Sequence, residues 1–344
     1  DNGPDRSELA KSYYQKRLPV PKYEIEKASD SIKSLLLKMN LQVDYHRDKW
    51  QTLVLKWQNH LNPKPEIVIY KNQQKTPAER CNYFSIKDEI ALKVSGVKNL
   101  SGFKVVWKVL YPKDKSINLT EGKYGFADNA PKCINFAEKR LSHQSVELKT
   151  KNLITLFDSK TGFGTIRIFA EIVYQGSIYR SDLVCLSRCH DQSYLGKLTE
   201  IFNLPYILGS SLIREGNLVG PDLMFGADCS NFIIYGKRRQ GNNIPYLNPS
   251  QLKDYLVELG KVTHFQNDIA FGEKGKIPLN EALIKDGLLL HFGAHLVAVY
   301  QDNEPRTVLD RNDLIIHQLE GFPEIIPLKN IKQAERPFEV MRFK

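Results

Sequence analysis

Cysteine is scarce in this chain. Its 344 residues hold five, at positions 81, 133, 185, 189 and 229, too few for a disulfide scaffold and, being odd in number, bound to leave at least one thiol unpaired. Long apolar runs are missing as well: every candidate stretch is broken by Lys, Gly or His within about ten positions, against the roughly 20 residues a membrane helix takes, so no integral membrane segment is expected. Metal-ligand spacing is also lacking. Cys185 and Cys189 have only His190 beside them and no second pair at ligand distance, so paired or buried cysteines are expected rather than zinc, and nothing signals an organic cofactor. Nucleic-acid motifs do not accompany the excess of base. The 49 Lys and Arg against 39 Asp and Glu, a formal charge of +10, are spread through the chain, and a polyanionic cell envelope suits this charge as well as a nucleic acid does.

What is present suits a multi-domain α+β protein. A hydrophobic fraction of 42% with 17 Pro and 21 Gly is enough to bury two or three cores. Residues 1–80 read as mostly helical, from the cluster Leu35, Leu36, Leu37, Met39, Leu41 and the spacing Trp50, Leu53, Val54, Trp57, with Pro63 and Pro65 ending the helical pattern. Residues 81–190 change to short β-branched and aromatic runs: Ile90–Val94, Phe103–Tyr111, Val146–Leu148, Leu153–Phe157, Thr165–Tyr174 and Ser177–Tyr179. Their regular spacing predicts an antiparallel, immunoglobulin-like β-sandwich with Trp107 in its core. From 191 to 344 helix and strand alternate.

The chemistry is expected in that last part. Gly226-Ala227-Asp228 leads into Cys229-Ser230-Asn231-Phe232-Ile233-Ile234-Tyr235, a small-residue turn delivering a thiol to a helix start. There the dipole and a neighbouring imidazolium would lower its pKa and sustain a thiolate near neutral pH. Further on, Leu288–Leu290 and Leu296–Tyr300 read as strands hinged at Gly293, with His295 at the join. A helix-start cysteine with a strand histidine is the pairing of papain-like cysteine hydrolases. His291 shares no face with His295 if both segments are strands, and it reads as structural.

These residues resemble the NlpC-type cell-wall peptidases, a papain-like family. The likeness runs from Pro205-Tyr206-Ile207-Leu208-Gly209 through Asp228-Cys229-Ser230, then Ile244-Pro245-Tyr246 and Pro249-Ser250-Gln251, to Lys285-Asp286-Gly287 and Phe292-Gly293-Ala294-His295. It covers roughly residues 195–315. The resemblance implies a papain-like α+β catalytic domain with Cys229 as nucleophile and His295 as general base. A third polar residue stands at the end of the next strand, for which Thr307-Val308-Leu309-Asp310 offers Asp310, with His317 as the alternative. Tyr206 would reach over the cysteine, and Asp228 and Ser230 would bind the amino end of a cell-wall stem peptide; Asp228 also suits a helix cap. The implied activity is hydrolysis of an amide in bacterial peptidoglycan stem peptides, between γ-D-glutamate and a diamino acid, by an exported protein of the periplasm or envelope. An inactive binding module on the same scaffold and an acyl or amide transferase are the alternatives. Asn231 stands where the family usually has glycine, and the long stretch from Leu212 to Phe225, with Arg214 and Glu215, is placed to wall one end of a cleft.

Overall fold

A computed structural model describes residues 65–344 apart from 78, 98–102, 121–133, 143, 175–176 and 304–306. The helices expected around Leu35–Leu41 and Trp50–Trp57 lie outside the described residues. The chain is a strand-rich α+β protein.

The strands of the first half are β1 (Glu66–Lys71), β2 (Asn82–Ser85), β3 (Ile90–Ser95), β4 (Lys104–Pro112), β5 (Ser116–Asn118), β6 (Phe136–Arg140), β7 (Glu147–Lys149), β8 (Gly164–Tyr174), β9 (Ser177–Arg180) and β10 (Val184–Cys189). One sheet runs Gln74–Lys75, β1, β3, β7; the other runs β2, β10, β8, β4, β6, with β9 hairpinned on β8. The pairing is antiparallel except between β2 and β10, which run parallel. Alternation decides which faces meet: Ile69, Leu92, Val94 and Leu148 of the first sheet share one core with Val105, Trp107, Val109, Ile166 and Ile168 of the second. Trp107 is fully buried, and its indole N–H donates to the Ser145 carbonyl at 2.7 Å.

Among the described residues the strand layer reaches back before 81: β1, Glu66–Lys71, pairs along its whole length with β3. Residues 153–157 are not a strand. They continue the helical turn Thr150–Leu153 into a 3₁₀ turn, Ile154–Leu156, because the buried side chains Leu153, Leu156 and Phe157 recur at helical spacing and not in alternation.

The second half is built from α1 (Tyr194–Leu198), β11 (Tyr206–Leu208), α2 (Cys229–Arg239), β12 (Leu256–Val262), β13 (Ile269–Gly272), α3 (Glu281–Gly287), β14 (Leu288–His291), β15 (Leu296–Gln301), β16 (Leu314–His317), β17 (Glu324–Pro327) and β18 (Phe338–Phe343). Its sheet runs β12, β18, β14, β15, β16, β17, antiparallel throughout. Residues Phe232, Ile233 and Tyr235 of α2 join Leu289, Val297, Ala298 and Ile316 of the sheet in one core. Among the described residues no helix is long and apolar enough to cross a membrane.

A buried seam of bonds joins the two halves. β5 pairs in parallel with β11, and Thr165 Oγ1 donates to the Glu200 carbonyl at 2.7 Å. On the second-half side of this seam, the Glu200 carboxylate, itself fully buried, accepts from the Tyr235 hydroxyl at 2.5 Å, from Arg239 Nε at 2.7 Å and from Lys197 Nζ at 3.0 Å. A carboxylate so deep is tolerable only because three donors, two of them charged, replace its water.

Candidate active site

Asp228 is the N-cap of α2. Its backbone is extended (φ −86°, ψ 176°), and its Oδ1 accepts the Asn231 N–H at 2.9 Å, answering one of the donors a helix start leaves open. Cys229 is therefore the first helical residue. Lys237, Arg238 and Arg239 in the last turn complement the other end of the dipole. Gly226 enters this turn with φ +144°, and a Cβ there would stand 2.3 Å from the Pro205 carbonyl oxygen. Glycine thus permits the close approach that bridges Tyr206 to Ala227, with the Ile207 N–H donating to the Ala227 carbonyl at 2.9 Å.

The cysteine and histidine segments come together. Cys229 Sγ lies 3.8 Å from the Ala294 carbonyl oxygen, and the Leu296 backbone N–H donates toward it, so the sulfur rests against the main chain on both sides of His295. The turn that carries His295 reverses at Gly293 (φ +81°) and is closed by the Phe292 N–H donating to the His295 carbonyl at 2.8 Å. The Phe292 ring stacks near His295, 6.4 Å between centroids and 20° between planes.

His295 Nε2 is 3.2 Å from His317 Nδ1. The side chain that meets His295 is therefore that of His317, and not that of Asp310, which stands elsewhere. The segment before Asp310 is not the next strand of the sheet: Val308 and Asp310 bridge to Pro278 and Ile269, and the Leu309 N–H donates to the Ile277 carbonyl. Asp310 then turns the chain, its Oδ1 accepting the Asn312 N–H at 2.6 Å while its own N–H donates to Asp313 at 2.7 Å. The strand that pairs with β15 is β16, and His317 ends it. A signal for this was present: Leu314-Ile315-Ile316-His317 repeats the pattern of Leu288-Leu289-Leu290-His291, after a turn of Asp310-Arg311-Asn312-Asp313.

On its far side, His317 Nε2 stands 3.4 Å from Glu324 Oε1, its cross-strand partner on β17. One hydrogen arrangement is consistent along this row: His295 Nε2–H donates to His317 Nδ1, and His317 Nε2–H faces Glu324. It leaves His295 Nδ1, which is buried and has no hydrogen-bond partner, as a free base. His291 is engaged elsewhere, its Nδ1 2.8 Å from Glu339 Oε2.

Burial sets the charge state. Cys229 is 5% exposed and His295 3%. The Cys229 thiol is pushed up to about 11, by burial first and by the Asp228 charge second, and the His295 imidazolium is pushed down to about 3 by burial and by His317. The closed site therefore rests as neutral thiol and neutral imidazole; the helix start does not by itself produce the thiolate expected near neutral pH. Burial likewise lowers His317, against the pull of Glu324.

Tyr206 is buried, and the phenol is held well above its ordinary range by burial and by the charges of Cys229, Asp228 and Glu320. Ser230 Oγ donates to the Leu247 carbonyl at 2.7 Å and stands 3.0 Å from Asp228 Oδ1. Asn231, where a glycine was expected, uses its Nδ2 to donate to Ser210 Oγ at 2.8 Å and Asp228 Oδ2 at 2.9 Å. The long 212–225 segment packs toward the sandwich, Glu215 taking a two-pronged ion pair from Arg80. It helps line a cavity of about 430 Å³ at the C-terminal end of α2, among Arg80, Cys81, Tyr83, Asp222 and Arg239. Among the described residues no group of three or more His, Cys, Asp or Glu side chains converges as a metal ion would require.

No protein-family model matches this chain, and no protein of curated function matches it either.

Proposed function

We propose that this chain is a cysteine hydrolase of the papain-like, NlpC type, acting on stem peptides of the bacterial wall after export. The sheet packed on α2 would be its papain-like core, and the two facing sheets upstream an immunoglobulin-like module. The observation that carries this reading is the meeting of the Cys229 and His295 segments: a helix-start thiol resting against the main chain on both sides of His295, and an imidazole whose one nitrogen faces a second histidine and whose other is buried without a partner.

In this reading substrate binding displaces the thiol proton onto His295 Nδ1, and the imidazolium is stabilised through Nε2–H by His317 and, behind it, Glu324. Sγ adds to the amide carbonyl; the Cys229 N–H and the Tyr206 hydroxyl are the oxyanion donors. The tetrahedral adduct collapses as His295 gives its proton to the leaving amine, leaving a thioester at Cys229. Water, deprotonated by the same nitrogen, completes hydrolysis. Asp228 binds the free amino end of the stem peptide while remaining the cap of α2, with Ser230 beside it, and the bond cut is the one after γ-D-glutamate.

A binding module on an inactive scaffold is the second reading. It draws on the near-complete burial of Cys229 and its raised thiol pKa. Muropeptides incubated in oxygen-18 water separate the readings: label in a new carboxyl group of a shortened stem supports hydrolysis. Amine-capped products without label indicate transfer. Unchanged muropeptides favour the binding module.

A further inference from the structure

The five cysteines are not equivalent, and two of them meet far from Cys229. Cys185 lies on β10, and Cys81 immediately precedes β2. The parallel register sets Asn82 beside Leu186, which brings residues 81 and 185 alongside each other one step earlier, and the Asn82 side chain fastens the spot by donating to the Cys185 carbonyl at 3.3 Å. The two Sγ atoms are 2.8 Å apart. Both side chains turn away from the sandwich core: Cys81 belongs to the core of the C-terminal half, and Cys185 packs against it. Cys81 also lines the cavity of about 430 Å³ whose opposite wall is Tyr235, Arg238 and Arg239 of α2, so a small thiol reagent has a route to the pair.

We propose that Cys81 and Cys185 are a dithiol–disulfide site that cross-links the start of β2 to β10 on the face packed against the α2 body, oxidised by exchange with a disulfide-bearing oxidant such as glutathione disulfide or a dithiol oxidoreductase. One thiolate of the pair attacks one sulfur of the oxidant, forming a mixed disulfide and expelling one thiolate. The second thiol, losing its proton, then attacks the protein sulfur of that mixed disulfide, forming the intramolecular bond and expelling the second thiolate. The protein loses two protons and two electrons, and the oxidant's disulfide takes up both electrons. The cross-link holds the wall formed by Arg80, Cys81 and Tyr83 in place; on that wall Arg80 is paired to Glu215, and Arg239 of α2 stacks over the Tyr83 ring at 3.7 Å. The proposal does not depend on peptidase activity, since Cys229 lies at the other end of α2.

Tryptic peptide mapping tests it on the full chain, because cleavage after Lys and Arg puts Cys81 in residues 81–87, Cys185 in 181–188 and Cys189 in 189–197. After glutathione disulfide treatment and alkylation of remaining thiols, the expected product is 81–87 joined to 181–188, lighter by two hydrogens and separated again by dithiothreitol. The oxidised chain should also melt about 5 °C or more above the reduced one, since the bond closes a long loop, and Cys81→Ser should abolish both the linked peptide and the shift. Recovery of both peptides singly alkylated, or of either cysteine joined to Cys133 or Cys189, overturns the proposal. The wild-type map decides even if the variant does not fold.

Discussion

His317 is the residue on which the site's geometry turns, and it separates two readings of the same sequence. It is in contact with His295, whereas Asp310 belongs to a turn. His317→Ala should therefore lower kcat on a stem peptide by about 10²-fold or more, and Asp310→Asn should change it by no more than a few-fold; steady-state assays of both variants decide the point. Protonation gives a second residue-scale test. His295 stays neutral in the fold down to about pH 3, against 6.5 for an ordinary histidine. Between those values the unfolded chain binds the extra proton, so stability is lost as pH falls through that window. Asp313, pushed up to about 7 by burial, works in the opposite direction. Hence the informative comparison is with His295→Gln: denaturant unfolding between pH 6.5 and 4 should show a weaker loss of stability on acidification in the variant than in the parent chain. Cys229, Asp228 and Tyr206 were legible as neighbours from the sequence, because a short turn and a helix cap place them locally. The side chain that meets His295 was legible only as a choice between Asp310 and His317, because it depends on which later segment joins the sheet, a non-local choice that 307–310 and 314–317 both fit by composition.

At the scale of elements, the turn before α2 does the positioning. Gly226 lets the chain pass against the Pro205 carbonyl, and this contact sets Tyr206 beside Ala227, two residues before Cys229. Gly226→Ala should destabilise the chain by about 1–3 kcal/mol, from the strained φ and the main-chain overlap together, and should lower activity even below the melting transition because Tyr206 moves relative to Cys229. Thermal melts beside kcat/KM at a temperature well below Tm measure the two effects separately. The strands Ile90–Ser95, Lys104–Pro112 and Gly164–Tyr174 were readable from alternation, and so was the helix start at Cys229. The turn at 150–156 was not, because its apolar run offers strand composition while its buried residues follow helical spacing. Glu66–Lys71 was hidden by its place beyond a proline pair, in a region whose earlier residues carry helical patterns.

At the scale of the described molecule, the two halves meet through β5–β11 pairing and the Thr165 hydroxyl on the Glu200 carbonyl. Glu200 anchors the second-half side of that seam through its carboxylate. Its replacement by Ala strands Lys197, which is buried, and leaves Arg239 without its carboxylate, for an expected loss of about 3–5 kcal/mol; urea unfolding followed by near-ultraviolet circular dichroism would record it. None of this seam was visible in composition, since its partners are scattered between residues 165 and 239. The central claim, however, concerns a single thiol. The most direct measurement is mass spectrometry of muropeptides with intact stems after incubation with the full chain or with Cys229→Ala, both first shown to melt alike. Stems cut after γ-D-glutamate by the parent chain and none by the variant are the expected result. Identical product spectra from the two, whether cleaved or uncleaved, would contradict it.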